Sequence, residues 1–156
     1  MTIYYGIVPF LKESLAIESI HRAPTPEEVR ATETFLATGL SVASICVVQE
    51  VYAPNRPLRK SPGMNVRVGD YYPPTGGRKI VNLLRDLVAD IDGGGDPFRC
   101  HVRFESLHPF MDGNGRTGRI LWAWNMQRKG LDPFSLPFLH RFYYQTLAAS
   151  SKRTDS

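Results

Sequence analysis

The 156-residue chain has little of what marks secreted, membrane or disulfide-stabilised proteins. Its two cysteines, Cys46 and Cys100, lie in apolar helical patterns without metal-ligand spacing, which indicates buried thiols in a reducing compartment. The longest uncharged run, residues 34–49, is too short and too rich in Thr, Ser and Gly to span a bilayer. The first residues lack the basic and apolar regions of a signal peptide. These absences favour a soluble, cytoplasmic protein without a membrane partner.

Charge of one sign is also not concentrated anywhere in the chain. Nineteen basic and 15 acidic residues give a net charge of +4, but no run of five or more like charges occurs. We therefore expect no nucleic-acid partner, because the phosphates of a small ligand suffice to explain the basic excess. A length of 156 residues with 42% hydrophobic content predicts one domain, residues 1–156, with its own core.

Apolar spacing and capping signals predict an all-α bundle. The apolar spacing of residues 10–21 predicts a short amphipathic helix. Residues Thr25 to Glu28 match a capping box, which predicts the start of a second helix. Gly39 and Ser41 are compatible with either one kinked helix or a break followed by a new helix. Further helices are predicted for residues 79–91, from Pro97 to residue 107, from about residue 116 to 130, and from about residue 136 to 149, followed by a disordered tail at 150–156.

Prolines and partial alternation interrupt this helical pattern at residues 63–77. The run from Met64 to Tyr72 is β-prone, and Gly69-Asp70 can turn between two strands. A short β-hairpin flap is therefore predicted here, and an ordinary surface loop is the alternative.

Residues 107–119, LHPFMDGNGRTGR, hold most of the residue types suited to chemistry. Gly113 and Gly115 permit a backbone curl whose N–H groups, with that of Asn114, converge as an anion nest. The apolar run of residues 120–126 predicts a helix from about Arg116, so the nest would lie at a helix N-terminus, where a phosphate is favoured.

Four charged or titratable side chains of the same stretch fit a phosphate reaction. Arg116 and Arg119, three residues apart, can bind phosphate oxygens in a bidentate manner. Asp112 is a hard oxygen ligand suited to Mg²⁺, and His108 titrates near neutrality and can take a proton from a hydroxyl. The stretch is neither a Walker A loop nor a dinucleotide fingerprint. A Gly-Asn-Gly turn before an exposed basic helix is the structural alternative.

The stretch resembles the motif HPFx(D/E)GNGRxxR of the Fic/Doc family at every specified position. The resemblance implies an all-α, Fic-type helical bundle with family-like features across residues 26–130 and the motif at 108–119. It implies protein adenylylation, in which AMP passes from ATP, with Mg²⁺, to a Ser, Thr or Tyr hydroxyl of a protein substrate. His108 would be the general base, Asp112 the metal ligand, and the nucleotide would be bound by Gly113, Asn114, Gly115, Arg116 and Arg119.

Two further segments take roles by the same resemblance. The flap would dock the target by strand addition, through Asn65, Val66, Arg67, Val68, Gly69, Asp70, Tyr71 and Tyr72. Residues 14–19 resemble the inhibitory pattern (S/T)xxxE(G/N), with Ser14 and Glu18 in place and Ser19 where the pattern has Gly or Asn. That resemblance implies that Glu18 pairs with Arg119 and holds ATP in an unreactive pose.

Other functions share the motif. A Doc-like kinase has a basic residue where this chain has Gly115, which argues against it. Phosphocholine transfer, hydrolytic removal of AMP with Glu18 positioning a water, and a catalytically idle nucleotide-binding or interaction module stay open. The target protein, the preferred base and the formation of a homo-oligomer are not indicated by the sequence.

Overall fold

A computed structural model describes residues 6–134 of the chain. Six α-helices run through this part: α1 (Ile7–Ile17), α2 (Pro26–Leu36), α3 (Val42–Tyr52), α4 (Arg78–Asp92), α5 (Pro97–Leu107) and α6 (Asn114–Arg128). The prediction of an all-α helical bundle is confirmed. The predicted helix at 136–149 and the tail at 150–156 lie outside the described residues.

Local sequence signals fix several of the helix ends. Thr25 accepts a hydrogen bond from the N–H of Glu28, whose carboxylate accepts one from the N–H of Thr25, as a capping box requires. Ser41 caps α3 in the same reciprocal way with Ser44, so α2 and α3 are two helices. Asp96 accepts from the N–H of Arg99 and starts α5.

Helix α6 lies at the centre of the bundle and packs against α1, α2, α3 and α5. Helix α6 is buried on most sides, so its apolar residues are not confined to one face. Helix α4, by contrast, is strongly amphipathic. Phe104, Phe110 and Ile120 are fully buried in the core that joins α5 to α6. The loop between these two helices is thereby anchored on both sides.

Helices α1 and α6 differ in their boundaries from the sequence-based expectation. Helix α1 covers Ile7–Ile17 instead of residues 10–21, so it starts earlier, and it ends earlier because Ser19 has a positive φ of 61° and breaks the helix after Glu18. Helix α6 starts at Asn114, two residues earlier than predicted, so Gly115 is helical and only Gly113 takes a positive φ, 77°.

The flap forms no strand. In the described part of the chain the segment 63–77 contains one isolated bridge, in which Val68 and Tyr71 each donate an N–H to the other's carbonyl at 2.9 Å. Gly69 and Asp70 form the turn between them as predicted, but the predicted hairpin is not shown, because no second pair extends the ladder within the described residues. The alternation of residues 64–72 reflects an exposed loop and not a half-buried strand.

Two expectations about burial and membranes can be compared with the described residues. Cys100 is buried, but Cys46 is only partly buried, which corrects the expectation for that residue. None of the helices within residues 6–134 is long and apolar enough to cross a bilayer.

Candidate active site

The loop that joins α5 to α6, residues 108–113, is held rigidly from inside. The side chain of Asn114 accepts the N–H of Phe110 and donates to its carbonyl, both at 2.9 Å. The amide of Gln49 on α3 donates to the carbonyl of Asp112 at 3.1 Å and to that of Arg56 at 2.6 Å. Since the Asn114 side chain is buried and engaged with Phe110, its role in the site is to hold the loop.

His108 occupies the C-cap of α5 in a left-handed conformation, φ 49° and ψ 61°. Backbone strain of this kind is common where a side chain must be aimed, and it turns His108 out of the helix. The imidazole is half-buried, and Nδ1 lies 3.4 Å from the carbonyl oxygen of Glu105. Burial lowers the pKa of His108, and the positive charge of Arg59 lowers it further, against the opposing effects of the Glu105 carbonyl, Asp112 and Glu18. The neutral ring, which can accept a proton, is therefore the form favoured at pH 7.

The N-terminus of α6 is open to an anion. Its N-cap is Gly113, which has no side chain to occupy the first N–H groups of the helix. These N–H groups and the helix dipole favour a negative group at this position. Asp112, which is exposed, accepts the N–H of Gly113 at 2.8 Å and so stands at the edge of the same opening.

Arg119 is bound by helix α1 and is 2% exposed. Its Nη2 donates to Oε1 of Glu18 at 2.7 Å and to the carbonyl of Ser14 at 3.0 Å, and its Nε donates to the Ser14 hydroxyl at 2.7 Å. The structure thus brings together the three residues Ser14, Glu18 and Arg119. The carboxylate of Glu18 is itself 38% exposed, so the pair is open to water on one side.

Arg116 points elsewhere. Its Nη1 donates to the carbonyl of Tyr52, the last residue of α3, at 2.6 Å. Its guanidinium also lies close to Gly113, with Nη2 at 4.0 Å from where a Cβ of residue 113 would be. The structure therefore keeps Arg116 beside the nest, whereas the guanidinium of Arg119 is turned to α1.

The backbone geometry at the end of α1 explains why glycine or asparagine is expected at position 19. The N–H of Ile20 donates to the carbonyl of Leu15 and that of Ser19 to the carbonyl of Ala16, both at 2.9 Å, which is a Schellman motif. Residue C′ of this motif is left-handed and favours Gly or Asn. Ser19 adopts the required conformation with φ 61°, so Glu18 keeps its place as the C-cap.

The flap residues lie beside α5 and are mostly exposed. The Tyr71 hydroxyl donates to the carbonyl of Ser106 at 2.7 Å, two residues before His108. The side chain of Asn65 accepts the N–H of Gly76 at 2.9 Å and closes the loop across its base. Tyr72 is 70% exposed, and Arg67 contacts its ring and hydroxyl. The flap is thus linked to α5 at Ser106, two residues before His108.

Sequence reasoning missed Arg59, which is fully buried. Its guanidinium donates to the carbonyls of His108, Leu107, Met64 and Pro74 at 2.7 to 3.1 Å. No carboxylate pairs with it among the described residues. No local pattern marks this residue, because all four acceptors are backbone carbonyls, two of them far along the chain.

A partly buried acid, Glu105, and a buried histidine, His101, lie near Arg119. Burial raises the pKa of Glu105 to about 8, and burial lowers that of His101 to about 3. Oε1 of Glu105 lies 4.0 Å from Nε2 of His101 and accepts no hydrogen bond within residues 6–134. Gly118 makes room for it, since a Cβ at residue 118 would lie 2.1 Å from Oε1 of Glu105.

A magnesium ion fits only with help from a ligand. Residues 6–134 hold no group of three His, Cys, Asp or Glu that could bind a metal ion by themselves. Asp112 offers one exposed carboxylate next to the opening at α6. One carboxylate with phosphate oxygens and waters is an arrangement that Mg²⁺ accepts. The donor set therefore suits Mg²⁺ bound together with a phosphate ligand.

Comparison with known proteins identifies the family. A model of the Fic/DOC family matches residues 46–126, just over half of the chain, so the chain belongs to the Fic/DOC family. The crystal structure of a Fic family protein from Desulfovibrio desulfuricans G20 covers 97% of this chain with 56% of its own length, at a TM-score of 0.59 and 19% identity. That likeness confirms the Fic-type helical fold.

Two curated relatives match over short stretches. A uridine 5′-monophosphate transferase of Xanthomonas campestris pv. campestris (strain 8004) is 58% identical over 35 residues, 22% of this chain and 6% of that protein. The protein adenylyltransferase fic-1 of Caenorhabditis elegans is 33% identical over 85 residues, 49% of this chain and 17% of that protein. The chain therefore spans less than a fifth of either relative.

Proposed function

We propose that this protein is a nucleotidyltransferase that moves AMP from ATP to a Ser, Thr or Tyr hydroxyl of a protein. The observation that carries the proposal is the neighbourhood of a neutral, strained His108 and the uncapped N-terminus of α6 across one rigid loop. A proton acceptor and an anion site joined by one short loop suit the transfer of a phosphate group.

The reaction would proceed by in-line attack of the hydroxyl oxygen on the α-phosphorus. His108 takes the hydroxyl proton, the new bond forms between oxygen and phosphorus, and the bond from the α-phosphorus to the bridging oxygen breaks, so that pyrophosphate leaves. The N–H groups of Asn114 and Gly115 would hold the α- and β-phosphates at the helix N-terminus, joined by the N–H of Gly113 when the Asp112 carboxylate leaves it. Arg116 lies close enough to the nest to assist them. Asp112 would hold Mg²⁺, which neutralises charge on the phosphate oxygens.

We further propose that the resting protein is inhibited by Glu18. The guanidinium of Arg119 is engaged by Glu18 and Ser14 and is therefore not available to a γ-phosphate. Without a contact between Arg119 and the γ-phosphate, the outer end of the triphosphate has no orienting group. A triphosphate bound in the wrong pose reacts slowly. Movement of α1 or loss of the Glu18 carboxylate would release Arg119.

The target would be bound by the exposed flap. Residues 65–72 are mostly exposed on both sides of the Gly69-Asp70 turn, and main-chain pairing with a target needs little target sequence. The link from Tyr71 to the carbonyl of Ser106 keeps this surface beside His108. A target hydroxyl held there would be brought toward the imidazole.

Uridine monophosphate is the second candidate group. The match of 58% identity to a uridine 5′-monophosphate transferase favours it, although that match spans 35 residues. The longer match, over 85 residues, is to a protein adenylyltransferase and favours AMP. Both candidates use the same phosphate chemistry and differ in the base.

Labelled nucleotides test the proposal. The Glu18→Gly protein would be incubated with Mg²⁺ and a cell extract, and with ATP or UTP labelled at either the α- or the γ-phosphorus. Label on protein from the α position alone supports nucleotidyl transfer, and the better donor identifies the base. Label from the γ position would support a kinase. Absence of label from every donor, with nucleotide binding retained, would support an idle binding module, and release of AMP from modified protein would support the reverse reaction.

A further inference from the structure

Arg59 connects two parts of the protein that the proposed reaction uses separately. Its Nε and Nη2 donate to the carbonyls of His108 and Leu107 at 2.7 and 2.9 Å. Its Nη1 donates to the carbonyls of Met64 and Pro74 at 3.1 and 2.8 Å. One rigid planar group thus contacts the His108 loop on one side and the base of the flap on the other.

The backbone of residue 59 repeats this connection. Its N–H donates to the carbonyl of Pro109 at 2.8 Å, and its carbonyl accepts the N–H of Gly77 at 2.9 Å. Met64 and Pro74 stand near the two ends of the segment 63–77, so their shared donor closes the flap as a loop. The packing there is tight, because a Cβ at Gly76 would lie 2.5 Å from the carbonyl oxygen of Met64.

A buried guanidinium is costly unless its donors are satisfied. Arg59 uses four of its five N–H donors on carbonyls. Two of these carbonyls belong to the C-terminal end of α5, where carbonyls lack helical partners and a positive charge is favoured. A lysine at this position is a point charge on a flexible stem and cannot reproduce the fork. The arrangement therefore requires the shape of arginine as well as its charge.

We propose that Arg59 is a positioning residue that locks the His108 loop and the target-docking flap into one unit. The inference rests on the proposed transfer, in which a hydroxyl presented at the flap must meet the imidazole at hydrogen-bond distance. A displacement of about 1 Å between reacting groups can reduce a rate roughly a hundredfold. Arg59 fixes that separation while touching neither the nest nor Arg119.

Two substitutions separate the shape of Arg59 from its charge. Arg59→Lys keeps a positive charge without the fork, and Arg59→Met removes both. Arg103→Met is the matched control, since Arg103 lies on α5, five residues before His108, and pairs with the exposed Asp90. All three would be made in the Glu18→Gly protein so that transfer is measurable.

Kinetics and binding form the first readout. Both Arg59 variants are expected to lose roughly ten- to a hundredfold in kcat/KM for the protein target, with a raised KM for that target. The dissociation constant for ATP, measured by calorimetry, should change less than about twofold, because Arg59 contacts no part of the α6 N-terminus. Arg103→Met should match the parent in both measurements.

Nuclear magnetic resonance gives a second readout that does not depend on activity. Amide exchange at Val68, Tyr71 and Gly76 should accelerate in both Arg59 variants, because the flap base is released. The pKa of His108 should rise in Arg59→Met and stay near its original value in Arg59→Lys. The other groups that act on His108 are Asp112, Glu18 and the Glu105 carbonyl, and they are the same in both proteins.

The outcomes are distinct. Slower target transfer together with faster flap exchange and unchanged ATP affinity supports the proposal. Folded variants with parental kinetics and flap exchange would overturn it, and so would loss of folding in both Arg59 variants while Arg103→Met stays folded, since Arg59 would then serve stability alone. If the Glu18→Gly parent transfers no nucleotide, the proposed function fails, and flap exchange with the His108 pKa still decides the coupling.

Discussion

A Cβ atom on residue 115 would lie 2.2 Å from Oε1 of Glu18, so the glycine at this position leaves the space through which the carboxylate reaches Arg119. Gly115 is helical here and has no positive φ. Its lack of a side chain therefore serves close approach at the first turn of α6. Glycine at position 115 is therefore required for the contact between Glu18 and Arg119.

Removal of the Glu18 carboxylate should activate the protein. A charge-assisted hydrogen bond of this kind contributes on the order of 1.5–3 kcal/mol, so we expect Glu18→Gly to raise nucleotidyl transfer roughly ten- to a hundredfold. Glu18→Gln keeps a hydrogen-bond acceptor without the charge, so its transfer rate should lie between those of the wild type and Glu18→Gly. Initial rates of label incorporation measure the effect, and Glu27→Gln, at an exposed carboxylate on α2, is the charge control.

Arg119→Ala provides the complementary test of this pair. The variant should be inactive with Glu18 or with Gly at position 18, since the proposed reaction uses the Arg119 guanidinium to bind the γ-phosphate. If the wild type already transfers nucleotide rapidly and Glu18→Gly does not change that rate, Glu18 has no inhibitory role.

Ser19→Gly should stabilise the end of α1. A left-handed conformation is unfavourable for serine, whereas glycine adopts it freely. The greater freedom of glycine in the unfolded chain offsets part of this difference, so the free energy of unfolding should increase by about 0.5–1 kcal/mol. For a chain of this size the melting temperature should rise by roughly 1–4 °C. Calorimetry measures the shift, with Ser19→Ala as the control that keeps a Cβ. A lower melting temperature for Ser19→Gly would contradict the Schellman geometry.

Glu105 and His101 should give the folding stability opposite dependences on pH. The pKa of Glu105 is raised by burial from 4.5 to about 8, so the folded state holds its proton longer and stability falls as pH rises between these values. The pKa of His101 is lowered by burial from 6.5 to about 3, so the unfolded state gains the proton first and stability falls as pH drops below 6.5. The two effects cancel between about pH 4.5 and 6.5.

The measurable consequence lies above pH 6.5. Wild-type stability should fall there by about 1 kcal/mol per pH unit up to pH 8, and Glu105→Gln should remove this slope. Arg119 and Glu18, which face Glu105 and act on its pKa in opposite directions, are retained in the variant. Denaturant titrations at pH 6.5 and 8 measure it, with Glu27→Gln as an exposed control. Equal slopes in wild type and Glu105→Gln would show that Glu105 is ionised in the folded state.

Local signals account for what the sequence could predict. The capping box at Thr25, the cap at Asp96 and the apolar spacing of α4 each depend on neighbouring residues, and all three are confirmed. The motif residues were recognisable because they are consecutive. The family and its all-α fold followed from them.

Features that depend on distant partners were missed or misplaced. Arg59 has acceptors at residues 64, 74, 107 and 108, and nothing near it in the chain indicates burial. The turn at Gly69 was identified, but alternation alone could not show that no second strand pair forms. The end of α1 was placed too late because a serine in the left-handed region carries no glycine signal.

The central claim, that the protein transfers a nucleoside monophosphate to a hydroxyl with His108 as the proton acceptor, is tested most directly by the mass of the modified protein. Glu18→Gly would be incubated with Mg²⁺ and ATP or UTP, with and without a second substitution, His108→Ala. We expect Glu18→Gly to gain the mass of AMP or UMP on itself or its target. The double variant should gain nothing while it binds nucleotide with unchanged affinity. A gain of a single phosphate, or an equal nucleotide gain in the protein without His108, would contradict the account.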